Sequence, residues 1–421
     1  MGVVQVLPYP SAVAVGPVGN LVTAISGFVT PGTNSTISVT HPDLSGITPK
    51  VALVLGSRHN ALADPVQSGQ SGFTIGAEHV AGRFSGFDGL GFCSGSRTAQ
   101  ASTTVQKYQA LGPAYFTTDY GITIFNNGNL ALKSGGTDIA FTVSSGAYHG
   151  SVLFFGGSDI DAVASYRDLG TAASLQNIEI GCDTDAIITF ANGSRISNGR
   201  ASSHALSFGF ATKDGQQRCL LHTEANAQAA GAPFAAILTD ACAGEINPST
   251  GALSYKVTAS DFDDLGFSLQ SNVNAGDDTV GFIALDLGGR RCKIVEFTSP
   301  TSTGTLSVTG AGFTPQTAII VGSNLESVNP TFPLSTSALM SNFMVSTVTA
   351  DDERCHVMKI ASSADPTSTH CWSTEKAVAI LGPTGTPTIT ANLGAFTTDG
   401  MELAFDTVTA IGKRFFALLI E

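Results

Sequence analysis

The stretch ITPKVALVLGSR (47–58) returns in kindred form as FTPQTAIIVGSN (313–324). The two align without a gap. Each opens on an aliphatic or aromatic residue before Thr-Pro, runs through a short block rich in Val and Ile, and stops at Gly-Ser. A block of that length suits a buried strand and is too short for a helix. A degenerate third version, DTDAIITFANGSR (183–195), lies between them. The glycines of the three Gly-Ser pairs, Gly56, Gly193 and Gly322, are read as marking one register in three copies of a single unit.

Other stretches recur in the same order. FVTPGTNSTISVT (28–40) answers FTSPTSTGTLSVT (297–309), with Phe first, Pro fourth and Ser-Val-Thr last. ALGP (110–113) answers ILGP (380–383), with AILTD near Ala236 between them. FTTDYGITIF (116–125) answers FTTDGMELAF (396–405), with FDDLGFSL (262–269) as the middle counterpart. Each copy closes on an apolar strand: SVLFFGG from Ser151, VGFIALDL from Val280, RFFALLIE from Arg414. The units then run 21–157, 158–288 and 289–421, after an arm of residues 1–20.

Strand signals dominate every copy. TISVT and TLSVT alternate at period two, and Gly, Asn, Asp and Pro clusters supply turns between runs. The nearly continuous apolar closing strands should lie centrally, covered on both faces. EANAQAAGAPFAAIL (224–238) is the best helical candidate, but Gly231 and Pro233 cut it to at most a short helix in a loop. The expected fold class is all-β: three tandem homologous antiparallel β-sandwich or jelly-roll-like domains of roughly eight strands each. They would form a pseudo-threefold or linear array.

Composition narrows the function. With 421 residues, 43% of them hydrophobic, the chain can fill several cores. Only 13% are charged; the net charge is −13. Such a surface repels a phosphate backbone, so nucleic acid is not an expected partner. The densest basic spot, Arg290, Arg291 and Lys293, falls at a unit junction. Seven cysteines without a C-x-x-C pair argue for thiols made in a reducing cytoplasm, not a disulfide framework or zinc knuckle. The amino-terminal MGVVQVLPYP lacks a basic signal region, and no apolar run is long enough to span a bilayer, so membrane insertion is not expected.

No residue set stands out as catalytic, and no metal or cofactor site is expected. GFCSGSR (91–97) lacks the spacing of a nucleophile elbow and reads as a loop. Cys219 with His222, and Cys355 with His356, fall at similar points of the second and third units. Positions i and i+3 on a strand face opposite ways, so Cys219 and His222 should not share a ligand; a core Cys beside a surface His is expected. The acidic spots Asp261, Asp263 and Asp264, then Asp277 and Asp278, then Asp351, Asp352 and Glu353, read as solvated turns. Trp372, Tyr120 and Tyr148 are the candidates for a ligand or interface role, because aromatic faces stack on sugars. Trp372, the sole tryptophan, is also read as a core or interface residue.

The blocks GITPKVALVLGS (46–57) and GFTPQTAIIVGS (312–323), in a Ser/Thr/Gly-rich and weakly charged setting, resemble the β-domains of tailed-bacteriophage virion surface proteins. The resemblance implies a non-enzymatic structural role on a particle, as a tail-associated attachment protein or a head decoration protein. It implies virion proteins as partners, a homo-oligomer or lattice contacts, and a virion location after synthesis in the host cytoplasm. A carbohydrate-binding protein with one weak site per repeat, recognising host surface glycan, is the alternative. A polysaccharide depolymerase ranks below both.

Overall fold

The computed structural model describes residues 21–57, 70–80, 90–97, 106–111, 115–119, 123–144, 146–169, 175–192, 200–202, 204–224, 233–271, 279–334, 340–361 and 370–421. Among these there is no α-helix; the chain is built of antiparallel strands. The first part holds β1 (Val22–Val29), β2 (Thr36–Thr40), β3 (Val51–Ser57), β4 (Gln70–His79), β5 (Leu90–Arg97), β6 (Gln106–Leu111), β7 (Tyr115–Asp119), β8 (Thr123–Lys133), β9 (Gly136–Ser144) and β10 (His149–Gly156). The second holds β11 (Asp161–Asp168), β12 (Leu175–Glu179), β13 (Ala186–Ala191), β14 (Arg200–Ser202), β15 (His204–Thr212), β16 (Gln217–Glu224), β17 (Phe234–Leu238), β18 (Ala243–Ile246), β19 (Leu253–Ser260), β20 (Gly266–Ser271) and β21 (Thr279–Asp286). The third holds β22 (Cys292–Thr298), β23 (Gly304–Thr309), β24 (Thr317–Gly322), β25 (Met340–Thr349), β26 (Glu353–Ala361), β27 (His370–Thr374), β28 (Val378–Leu381), β29 (Pro387–Thr397), β30 (Gly400–Thr407) and β31 (Arg414–Ile420).

One topology is repeated three times. Larger sheets run β1-β10-β3-β4-β5-β6, β11-β21-β13-β15-β16-β17 and β22-β31-β24-β25-β26-β27. Smaller ones run β2-β9-β8-β7, β12-β20-β19-β18 and β23-β30-β29-β28. Each larger sheet faces its smaller one across a core, so each sandwich has ten strands of its own, not the eight or so expected. FAAIL, at the end of the expected helical stretch, is strand β17, and GFCSGSR lies within strand β5, not in a loop.

Ladder registers and strand order correct three of the expected alignments. Gly56 pairs with Gly150, Gly322 with Phe415, and Ala191 with Val280, each at the same rung of its ladder. Ala191, not Gly193, is therefore the middle counterpart. Likewise FTTDGMELAF spans the β29–β30 hairpin, whereas FTTDYGITIF lies on β7 and the start of β8. The true counterpart in the first copy is LKSGGTDIAF (132–141), on the β8–β9 hairpin. Gly136, Gly266 and Gly400 open the equivalent strands with φ of 149°, 156° and 149°. Backbone of the neighbouring strand lies where a Cβ would project from each, so only glycine fits. ALGP ends β6, whereas ILGP ends β28, which corresponds to β7; that match is out by one strand.

The central strands are covered on both faces, as their continuous apolar sequences require. Along β31, Phe415, Ala417 and Leu419 enter the core of the third sandwich. The alternate residues Phe416, Leu418 and Ile420 enter a second core. In β10, Val152 and Phe154 face inward, while Leu153 and Phe155 join that same second core. In β21 the split is Phe282 and Ala284 against Ile283 and Leu285. One apolar core is thus shared by all three sandwiches, each contributing the outer face of its larger sheet.

Contacts between sandwiches follow a cyclic order. The first strand of each lies on the fourth or fifth strand of its neighbour: β11 on β4 and β5, β22 on β15, and β1 on β25 and β26. The last of these closes the ring between the third and first sandwiches. Such head-to-tail interfaces, when the rotation closes, generate a threefold ring. Here the ring forms within one chain.

Crossing segments secure the order. β14, from the connection between β13 and β15, pairs with edge strand β6 of the first sandwich. The corresponding segment of the third sandwich lies along edge strand β17 of the second. Asn329 N–H donates to the Ile237 carbonyl at 2.8 Å. Its side-chain oxygen accepts from Thr239 N–H at 2.8 Å, and its amide donates to Thr239 Oγ1 at 2.5 Å. Asn329 holds φ of 47°, a left-handed conformation that Asn tolerates better than most residues. Edge strands otherwise exposed to foreign pairing are covered in this way.

Candidate functional site

The faces where sandwiches meet carry the chain's most unusual chemistry, because positions equivalent by register hold different residues at each junction. Between the first and second sandwiches the junction is apolar. Phe92 meets Phe190 edge-on, ring centroids 5.4 Å apart. Leu90 and Phe92 press so closely on Gly281 that a methyl group there would clash.

Between the second and third, Phe210 meets Phe416 at 5.7 Å. Charge is added at the rim: Arg218 pairs with Glu296, and Lys293 with Asp214 at 2.7 Å. Arg290 and Arg291 of the basic spot pair with Asp159 and Glu421. The side-chain oxygen of Gln216 accepts from Ile294 N–H at 2.9 Å. The ring of His222 rests against Phe343, centroids 6.1 Å apart. Burial lowers its pKa to about 3, which keeps it neutral.

Between the third and first, the junction is polar. Phe73 meets Phe343 at 5.1 Å, but around that contact runs a chain of buried hydroxyls and imidazole. Ser151 Oγ lies 2.8 Å from His356 Nε2. His356 Nδ1 lies 2.9 Å from Ser373 Oγ, which lies 2.6 Å from Ser57 Oγ. All four residues are buried. Thr23 and Thr317 join their hydroxyls across the same junction. The guanidinium of Arg354 covers Gly27 and pairs with Asp352 and Glu375.

The Ser151–His356 contact superficially resembles a nucleophile and its base, since the distances suit proton transfer. Ser151 is itself buried, 1% exposed, where two sandwiches press together. By register, Ser151 occupies the position of Gly281 and Phe416, and His356 that of Phe92 and Leu220. The polar chain thus stands where the other junctions place apolar contacts.

The sequence-derived candidates fall elsewhere. Trp372, on β27, is 8% exposed and packs in the core of the third sandwich. Its indole Nε1 has no hydrogen-bond partner among the described residues. Tyr148 is also buried; its N–H donates to Thr30 Oγ1 at 2.9 Å, fixing the entry to β10. Neither ring is an exposed stacking platform. Tyr120 lies outside the described residues.

Cys219 and His222 do face opposite ways: the thiol lies in an apolar cluster with Leu221 and Ala236, the imidazole at the junction. The expectation of surface histidines fails, since both His222 and His356 are buried. Cys219 and Cys355 are equivalent by register, but His222 corresponds to Met358, not to His356. The six cysteines whose side chains are described, Cys182, Cys219, Cys242, Cys292, Cys355 and Cys371, are free thiols, and burial pushes Cys242 and Cys292 to about 12, far from a reactive thiolate.

Among the described residues no cluster of His, Cys, Asp and Glu could hold a metal. Asp263 caps the hairpin before β20, its Oδ1 accepting from the N–H groups of Leu265 and Gly266. Asp277 and Asp278 lie outside the described residues. A shallow groove of about 320 Å3 borders β12 and β20, lined by Leu175, Glu179, Asp261, Leu265 and Phe267.

Glu353 shows a second buried polar device. Its Oε2 accepts from Leu393 N–H at 2.8 Å, and burial raises its pKa to about 7. At the matching position of the second sandwich stands Gln217, whose amide bonds both the N–H and the carbonyl of Ala259. Glu353, expected in a solvated turn, instead opens strand β26, as Gln217 opens the matching strand β16.

Compared with known proteins, the chain matches no family model and none of the curated proteins.

Proposed function

We propose that the protein is a non-enzymatic structural component of a phage particle surface, displaying three β-sandwiches as one rigid ring. The observation that carries this reading is the closure of three homologous sandwiches around a shared core. A ring of this kind offers three related surfaces at fixed geometry, which suits a site of threefold symmetry occupied by one copy of the chain. The acidic, Ser/Thr-rich exterior and the sequence resemblance to virion β-domains support the same reading.

Trp372 and Tyr148, two of the three aromatic candidates for a glycan platform, are buried, which favours display over glycan binding as the first reading. In the proposed setting, residues 1–20 anchor the protein by adding a strand to a neighbouring virion subunit. Cryo-EM of purified particles tests the proposal. Density for one three-sandwich body per threefold site is expected; absence of the protein from particles would overturn it. Removal of residues 1–20 should abolish incorporation while the sandwiches remain folded.

A further inference from the structure

We propose that the junction between the third and first sandwiches is an acid-sensitive latch that opens the ring when His356 takes up a second proton. This inference is independent of the display role. Its basis is the polar chain Ser151–His356–Ser373–Ser57, found at the one junction that joins sandwiches not consecutive in sequence.

With neutral imidazole, one ring nitrogen donates and the other accepts. Four buried groups can then order their hydrogens head to tail along the chain. A second proton turns both nitrogens into donors. The serine that had donated to the ring must turn its hydrogen away, inside a site closed to water, and a buried charge is created.

The neighbouring charges are of both signs. Arg354 lies two residues away on the same face of β26, already cationic. Its counter-ions Asp352 and Glu375 are engaged by its guanidinium. On β10, His149 lies two residues from Ser151 on the same face. On β27 the titratable groups are His370 and Cys371; His370 stands opposite Lys359, on the face turned away from His356. From β4 come Glu78 and His79, five and six residues beyond the Phe73 that meets Phe343. β1, β3, β25 and β28, the other strands packed against β26, carry no titratable side chain. Protonation of His356 therefore leaves a buried cation and a displaced serine hydroxyl at the closing junction. An opened junction hydrates both.

Amide hydrogen exchange on the full chain, corrected for intrinsic rates, tests the latch between about pH 7 and about pH 5, the range in which a hydrated histidine charges. Exchange from β1, β10, β26 and β27 should accelerate by about tenfold per pH unit, the slope of one proton per opening. β5 and β21, at the first junction, should stay protected. His356→Gln should lower that slope by one. Thr23→Cys with Thr317→Cys, oxidised to a disulfide across the junction, should suppress the acceleration even if His356→Gln does not fold. Equal acceleration at the first and the closing junctions, or an unchanged slope in both variants, would overturn the proposal.

Discussion

Glu353 and His222 show how single buried groups set a pH window for this fold. Glu353 has its folded pKa raised to about 7, above the ordinary carboxylate value. A carboxyl so raised contributes stability that is present at low pH and is lost as pH climbs from the unfolded value through about 7. Glu353→Gln copies Gln217 at the matching position and should remove this loss. A gain of about 1–2 kcal/mol is expected at about pH 8, allowing for partial exposure, and little change at about pH 5. Urea unfolding at both pH values measures it. His222 has the opposite sign. Its folded pKa of about 3 lies below the unfolded value, so stability falls as pH drops below the unfolded value and continues to fall towards about 3. At about pH 4.5 the loss should reach about 3 kcal/mol. His222→Met, which copies Met358 at the equivalent rung, should flatten that acid limb in the same unfolding series.

At the scale of strands, the alternation of two cores makes a sharp statement about β31. In a solitary sandwich the outer face of this strand would meet solvent, and Leu418→Ala would change stability by about 0.5 kcal/mol or less. Here Leu418 lies in the shared core, so the change should cost about 2–5 kcal/mol, as Leu419→Ala should in the inner core. Asn329 tests the crossing segment: Asn329→Ala removes two side-chain bonds to Thr239 and strains a left-handed backbone, a loss of about 1–3 kcal/mol by chemical denaturation. Much of this level could be read in advance. RFFALLIE and SVLFFGG demanded cover on both faces, and strands with that cover were found. The FTTD match misled, because identity of four residues outweighed hairpin chemistry; the glycine that opens β9, β20 and β30 was the sounder marker. The burial of His222 and His356 was not legible, since it depends on a neighbour contributed by chain far away in sequence.

For the whole molecule, the diversity of the three junctions explains why the sandwiches assemble in one order. Hydrophobic contact at the first, the Arg218–Glu296 and Lys293–Asp214 pairs at the second, and the hydroxyl–imidazole chain at the third are not interchangeable. A wrong pairing would bury Arg354 or His356 without partners, which costs more than the contact returns. The repeat read from sequence left a ring and a linear array both open. Only the shared core decides between them. Small-angle X-ray scattering of the full chain in dilute solution measures this directly. A closed ring of this length should give a radius of gyration of about 22 Å. A value of about 30 Å or more at neutral pH, as three sandwiches in line would give, would contradict closure around a common core.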